Sequence, residues 1–90
     1  MAYRLRYTDA ARRDLAELPG NYRQRFRRAI EALAVQPTPS GAKELRERPG
    51  RYRIRIDRWR LIYSINESDG VILVLRVRRK TGRDTYLDIE

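Results

Sequence analysis

The 90-residue sequence contains no cysteine and no histidine. Without cysteine there is no disulfide framework, and without either residue a zinc site built from Cys or His is excluded. Ser-His-Asp and Cys-His catalysis fall with them. No apolar run approaches the roughly 20 residues that a membrane helix needs. Met1 to Tyr7 alternates polar and apolar side chains instead of forming the apolar centre of a signal peptide, so a cytoplasmic protein is expected. Negative charge is also in short supply: 12 Asp plus Glu stand against 21 Lys plus Arg, a net charge of +9.

Hydrophobic residues make up 41 % of the chain, enough for a folded core and against disorder throughout. At this length one domain over residues 1–90 is expected, with room for one sheet and two helices. Only Lys43 and Lys80 among the cations are lysines; the other 19 are arginines. A guanidinium matches two phosphate oxygens at once and stacks on bases. An arginine-dominated basic domain therefore points to a polyanionic partner, with nucleic acid the first choice.

Period-two alternation of Tyr3, Leu5 and Tyr7 against Arg4 and Arg6 predicts a first strand. Thr8 is placed to cap a helix with Asp9 in its first turn, and Ala11, Leu15 and Leu18 fall on one face. Pro19-Gly20 breaks this helix, and Asn21 is the expected cap of a second one carrying Tyr22, Phe26, Ala29, Ile30 and Leu33 at helical spacing. The two form a helical hairpin. Residues 37–50 hold three of the four prolines and read as a loop. Strands follow: RYRIRID, WRLIYSI and VILVLRVR, with a turn over Asn66 to Gly70 and a further short strand at Thr85 to Ile89. The expected fold is α+β: an antiparallel sheet with an N-terminal strand and the helical hairpin packed on one face, in the order β-α-α-β-β-β.

A two-residue turn at Asp57-Arg58 sets Tyr52 against Tyr63, Ile54 against Leu61 and Ile56 against Trp59, all on one face, whereas a slip of one residue would bury arginines. With a three-residue loop at 67–69, Leu61 meets Leu75, Tyr63 meets Leu73 and Trp59 meets Val77. Tyr52, Ile54, Ile56, Trp59, Leu61, Tyr63, Leu73 and Leu75 are then expected to face the helices. On the opposite face Arg55, Arg60 and Arg76 form a row across three strands, flanked by Arg53 and Arg78. Aligned like charges oppose sheet formation, and a bound phosphodiester backbone gives them a reason. The alternative is a solvated face neutralised by Asp57, on the same side, and by Glu44, Glu47 or Asp84 folding over it.

The ordered set YRIRIDRWRLIYSI, a DG-type turn, VILVLRVRRK and a late Tyr, preceded by a strand, TDAARRDLAELP and LAVQP, resembles the RelE-like branch of the RelE/ParE toxins over nearly the whole chain. The resemblance implies the toxin of a type II toxin–antitoxin system: a ribosome-dependent endoribonuclease that cleaves mRNA, without a metal or other cofactor. It implies a cognate antitoxin protein as partner, beside the ribosome and mRNA, with operator DNA reached only through the antitoxin. By the same resemblance Arg53, Arg55, Arg60, Lys80 and Tyr86 take catalytic positions, and Arg76, Arg78, Arg79 and Arg83 contact RNA. TGRDT separates Lys80 from Tyr86, where many relatives run a basic pair almost directly into the tyrosine, so the cationic role after the last long strand is open to Arg79, Lys80 or Arg83. Tyr86 would accept a proton if neighbouring cations favour its phenolate, stack on a base, or simply cover the sheet edge. Two rivals remain at this point: a ParE-like inhibitor of DNA gyrase on the same fold, and a basic module that binds without cutting.

Overall fold

The computed structural model describes residues 2–79; the expected strand at 85–89 and the candidates Lys80, Arg83 and Tyr86 lie outside the described residues. The elements run β1 (Arg4–Tyr7), α1 (Asp9–Glu17), α2 (Gly20–Leu33), β2 (Ala42–Glu44), β3 (Arg51–Ile56), β4 (Trp59–Asn66) and β5 (Val71–Arg79). They build the expected α+β fold, a single five-stranded sheet in the order β1-β5-β4-β3-β2. One pairing departs from an all-antiparallel sheet: β1 lies parallel to β5, with Leu5 opposite Ile72 and Tyr7 opposite Val74. The sheet is therefore mixed. A strand also appears within the segment 37–50 expected to be loop: β2, which pairs antiparallel with β3. Pro37, Pro39 and Pro49 flank it and leave residues 42–44 free to hydrogen-bond as a short edge strand.

Thr8 starts α1 as its sequence position predicts. Its Oγ1 accepts from the Ala11 amide at 3.0 Å and donates to the Leu75 carbonyl at 2.8 Å, tying the helix start to β5. The second helix begins two residues earlier than an Asn21 cap would place it. Pro19 is the capping residue, with no side-chain bond. The Pro19 carbonyl instead receives the Tyr22 and Arg23 amides, and proline's lack of an N–H costs nothing at a helix start.

The core lies between the hairpin and one face of the sheet. Ala11, Leu18, Phe26, Ile30 and Leu33 from the helices meet Leu61, Tyr63, Ile72, Val74 and Val77 from β4 and β5; Tyr52, Ile54, Ile56 and Trp59 pack around them. Each large side chain fully removed from water contributes about 1.5–3 kcal/mol. Leu73 and Leu75 do not join this core, contrary to the sequence expectation. They lie on the other face, in a small cluster with Leu45 and Ile62. The cause is twofold. The β4–β5 turn holds four residues, since Asn66 pairs with Val71, and a bulge between Ile62 and Tyr63 leaves Leu75 as the extra residue of β5. Each change shifts the register by one and exchanges the faces.

Candidate nucleic-acid interface

The register of β3 and β4 is the one the sequence implies: Tyr52 pairs with Tyr63, Ile54 with Leu61, Arg55 with Arg60 and Ile56 with Trp59. Alternation along β3 therefore sends Arg51, Arg53 and Arg55 to the face away from the helices. Lys43 of β2 lies opposite Arg53 on that face. On β1, Leu5 and Tyr7 pack on the core, so Arg6, opposite Leu73, joins the cations of the outer face. Among the described residues Arg6, Lys43, Arg53 and Arg55 form no ion pair.

The expected row Arg55–Arg60–Arg76 is altered by the bulge. Arg60 pairs with Arg78, and Arg76 lies opposite Ile62. Arg76 is held by Asp14 of α1, Nε to Oδ2 at 2.7 Å and a second guanidinium nitrogen to Oδ1 at 3.2 Å, while the Val77 amide donates to the same carboxylate at 2.9 Å. Arg76 thus serves as a tie between α1 and β5. The row in the structure is Arg55–Arg60–Arg78. Arg79 is exposed at the end of β5, in register with Trp59.

Arg60 is the buried member of the row, only 5 % exposed. Its guanidinium folds back onto the β3–β4 turn and donates to the Asp57 carbonyl at 3.0 Å and the Trp59 carbonyl at 2.9 Å. Two partial negative charges then offset its like-charged neighbours across the strands. The exposed guanidinium beside it is that of Arg55.

Asp57 does not neutralise this face as the alternative reading supposed. Its φ of 54° places it in the left-handed region, which Asp tolerates better than most residues. Its carboxylate points to the helices, accepting from the Tyr22 hydroxyl at 2.8 Å and from Arg25 at 2.9 Å. The Tyr22 bond first, then Arg25, holds the Asp57 carboxyl below the usual carboxylate range, and the same bond pushes the Tyr22 hydroxyl up. Glu44 is also engaged, accepting from the Gly50 amide at 2.9 Å. Asp57 and Glu44 are thus engaged with other partners, while Asp84, also named in that alternative, lies outside the described residues.

A second basic concavity lies on the helix side. It is a groove of about 530 Å³ between α1 and α2, lined by Tyr7, Leu15, Ala16 and Ile30 and by the three arginines Arg12, Arg23 and Arg27. Partial burial pushes the Tyr7 hydroxyl up, helped by Glu31 and opposed by Arg27 and Arg12. Sequence reasoning missed this groove, and it missed Arg6 and Lys43 as part of the outer face. For Arg6 the signal was present in the alternation of residues 3–7, but the strand beside which β1 would lie was not assigned.

The family of the ParE toxin of the type II toxin–antitoxin system parDE matches residues 5–82. No curated protein matches significantly. Among solved structures the chain is similar to the toxin–antitoxin complex RelBE2 from Mycobacterium tuberculosis, at 30 % identity and a TM-score of 0.75, covering 89 % of this chain and 100 % of that one. It is similar to the archaeal RelE–RelB complex from Pyrococcus horikoshii at 28 % identity and a TM-score of 0.79, covering 90 % and 98 %. A mutant of the E. coli toxin RelE in the free state shares the fold, with a TM-score of 0.83 at 22 % identity over 98 % of this chain and 94 % of that one. With a basic sheet face, a helical hairpin and a family match over most of its length, the chain belongs to the RelE/ParE toxins of type II toxin–antitoxin systems.

Proposed function

We infer that this toxin is a ribosome-dependent endoribonuclease that cleaves mRNA and so inhibits translation. The observation that carries this reading is the outer sheet face, where Arg53 and Arg55 make no ion pair among the described residues while Asp57 and Asp14 are turned to other partners. RNA brings its own nucleophile. The 2′-oxygen attacks the adjacent phosphorus, its proton leaves to a base, the bond from phosphorus to the 5′-oxygen breaks, and that oxygen takes up a proton. The products are a 2′,3′-cyclic phosphate and a free 5′-hydroxyl.

Guanidiniums supply what this path needs most, donors aimed at the charge that develops on the phosphorane. Arg55 and Arg53 present them on the open face, with Arg78 at the end of the row and Arg60 adding charge from beneath. Arginine is a poor proton carrier, so the proton acceptor is sought elsewhere. Tyr86, outside the described residues, is the proposed group, with one of Arg79, Lys80 and Arg83 supplying the further cation. Arg76, held by Asp14, contributes to RNA binding only through its field. The reading needs no metal: the guanidiniums neutralise the phosphorane.

A cognate antitoxin is the second partner, as in the RelE–RelB complexes to which this chain is similar. An acidic amphipathic segment suits both basic surfaces, the outer sheet face and the groove between α1 and α2, and carboxylate pairing across a buried interface would silence the toxin. The test is to map mRNA ends on programmed ribosomes with and without toxin, in the wild type and in Arg55→Ala and Tyr86→Phe. New 5′ ends that persist under mild chelation and vanish in Arg55→Ala support the reading. Tyr86→Phe should be nearly as damaging if the phenol moves a proton, and milder if the ring only stacks. A second reading, inhibition of DNA gyrase, is favoured by the match to the ParE family itself. Intact mRNA on the ribosome together with loss of gyrase supercoiling would establish that reading and refute the first.

A further inference from the structure

We propose that the RNA track extends across the sheet to β1, and that Arg6 clamps a phosphate outside the reacting dinucleotide. The inference rests on the RNA-binding reading above and adds the length and direction of the bound strand. Arg6 sits opposite Leu73, Leu73 opposite Ser64 and Ser64 opposite Arg51. One line of register therefore runs from β3 to β1 on the outer face, one row from Arg53. Between its cationic ends the floor is Ser64 and the half-buried Leu73. The arrangement suits a single strand whose phosphates lie at the margins and whose bases rest on the middle.

The direction is set by what lies at the ends. Arg4, the other outward arginine of β1, reaches the Asp69 carbonyl at 3.4 Å, next to a turn that carries Glu67 and Asp69. That acidic turn bounds the track. Arg6 is one alternation further from it, exposed and without an ion pair among the described residues. Adjacent strands lie about 4.8 Å apart, so β1 stands roughly 14 Å from β3. Phosphates along one strand are about 3.4 Å apart when stacked and up to roughly twice that when extended, so the gap corresponds to about two to four nucleotides. Arg6 therefore touches a phosphate that a very short substrate does not have.

Binding is measured by fluorescence anisotropy on 2′-O-methyl RNA, which lacks the nucleophile, using an octanucleotide and a trinucleotide. The two internal phosphates of the trinucleotide lie within about 7 Å and cannot bridge the gap. Arg6→Ala should weaken the octanucleotide and lower its salt slope by about 0.7, the value for one phosphate contact on a single strand, which corresponds to roughly eightfold at about 50 mM salt relative to 1 M. It should leave the trinucleotide unchanged, and Arg6→Lys should restore most of the loss, whereas Arg53→Ala should weaken both. An octanucleotide indifferent to Arg6→Ala but sensitive to Arg53→Ala overturns the proposal and leaves the RNA reading in place. Equal weakening of both lengths by Arg6→Ala also overturns it. If neither length responds to Arg53→Ala, the RNA reading itself has failed and the track with it.

Discussion

Arg60→Ala separates two physical accounts of the outer face. If the arginine row is simply a line of repelling charges, deleting its central member should stabilise the sheet, by about 0.2–1 kcal/mol for each opposed pair. The structure gives the opposite sign. The Arg60 guanidinium donates to two carbonyls, at 3.0 and 2.9 Å, and the side chain is only 5 % exposed. A hydrogen bond from a charged donor is worth about 1.5–3 kcal/mol when its partner is left unpaired. Water can reach the turn and recover part of that, so the two bonds together are worth about 2–3 kcal/mol. Subtracting the relieved repulsion from Arg55 and Arg78 leaves a net loss of about 1–2 kcal/mol. In a domain of this size that lowers Tm by roughly 4–16 °C. Urea unfolding followed by Trp59 fluorescence gives the change directly, and Arg60→Met separates the contribution of the buried stem from that of the head group. An Arg60→Ala protein as stable as the parent, or more so, would refute the assignment of Arg60 as the brace of the turn. It would also make any loss of toxicity in that variant a report on function and not on folding.

Leu61→Ala removes a side chain with no exposure from the centre of the core and should cost about 2–5 kcal/mol in chemical unfolding. Thr8→Ala removes both the helix cap and the bond to the Leu75 carbonyl; a loss of about 1–2 kcal/mol is expected, with amide exchange accelerated at the start of α1. Tyr63 is buried, its hydroxyl pushed well above the ordinary tyrosine range and donating to the Pro37 carbonyl at 2.6 Å. Tyr63→Phe should cost about 1 kcal/mol, and thermal scans of the wild type should show stability falling as pH rises above about 10, since a raised folded value favours the neutral form. Asp57 carries the opposite sign. Its lowered value means that the clamp to Tyr22 and Arg25 is complete above about pH 4 and is lost as pH falls through the folded value. Trp59 emission, reporting on the Tyr22 ring 6.0 Å away, should therefore hold steady at pH 5 and change only in stronger acid.

The central hairpin was legible because two independent signals agreed. Alternation over residues 51–63 and a polar dipeptide at Asp57-Arg58 permit one register only, and that register is observed. The helical hairpin was legible from spacing, and Thr8 from its place before an apolar face. The register of β5 was not, because VILVLRVR is apolar at nearly every position up to Arg76 and no longer tells one face from the other. The Leu75 bulge depends on contacts that arrive from far along the chain, such as the Thr8 hydroxyl. The same distance hid the role of Arg76, since nothing near it in sequence names Asp14 as its partner. The side chosen by Asp57 was hidden differently: a left-handed backbone at one turn residue re-aims its carboxylate, and alternation does not foresee that. Tyr86, Lys80 and Arg83 lie outside the described residues.

The pairing of β1 with β5 also governs when the toxin can exist. Thr8 and Leu75 are 67 residues apart, and β5 joins β1 to the rest of the sheet. A growing chain that has not yet reached Val71 has two amphipathic helices and the strands β2, β3 and β4, but lacks the strand against which α1 and β1 lie, so β1 waits without a neighbour. At roughly 5–20 residues per second the interval between the two strands lasts about 3–13 s, long beside the microseconds in which a helix forms. The sheet runs unbroken from β1 to β2 only once β5 has been made.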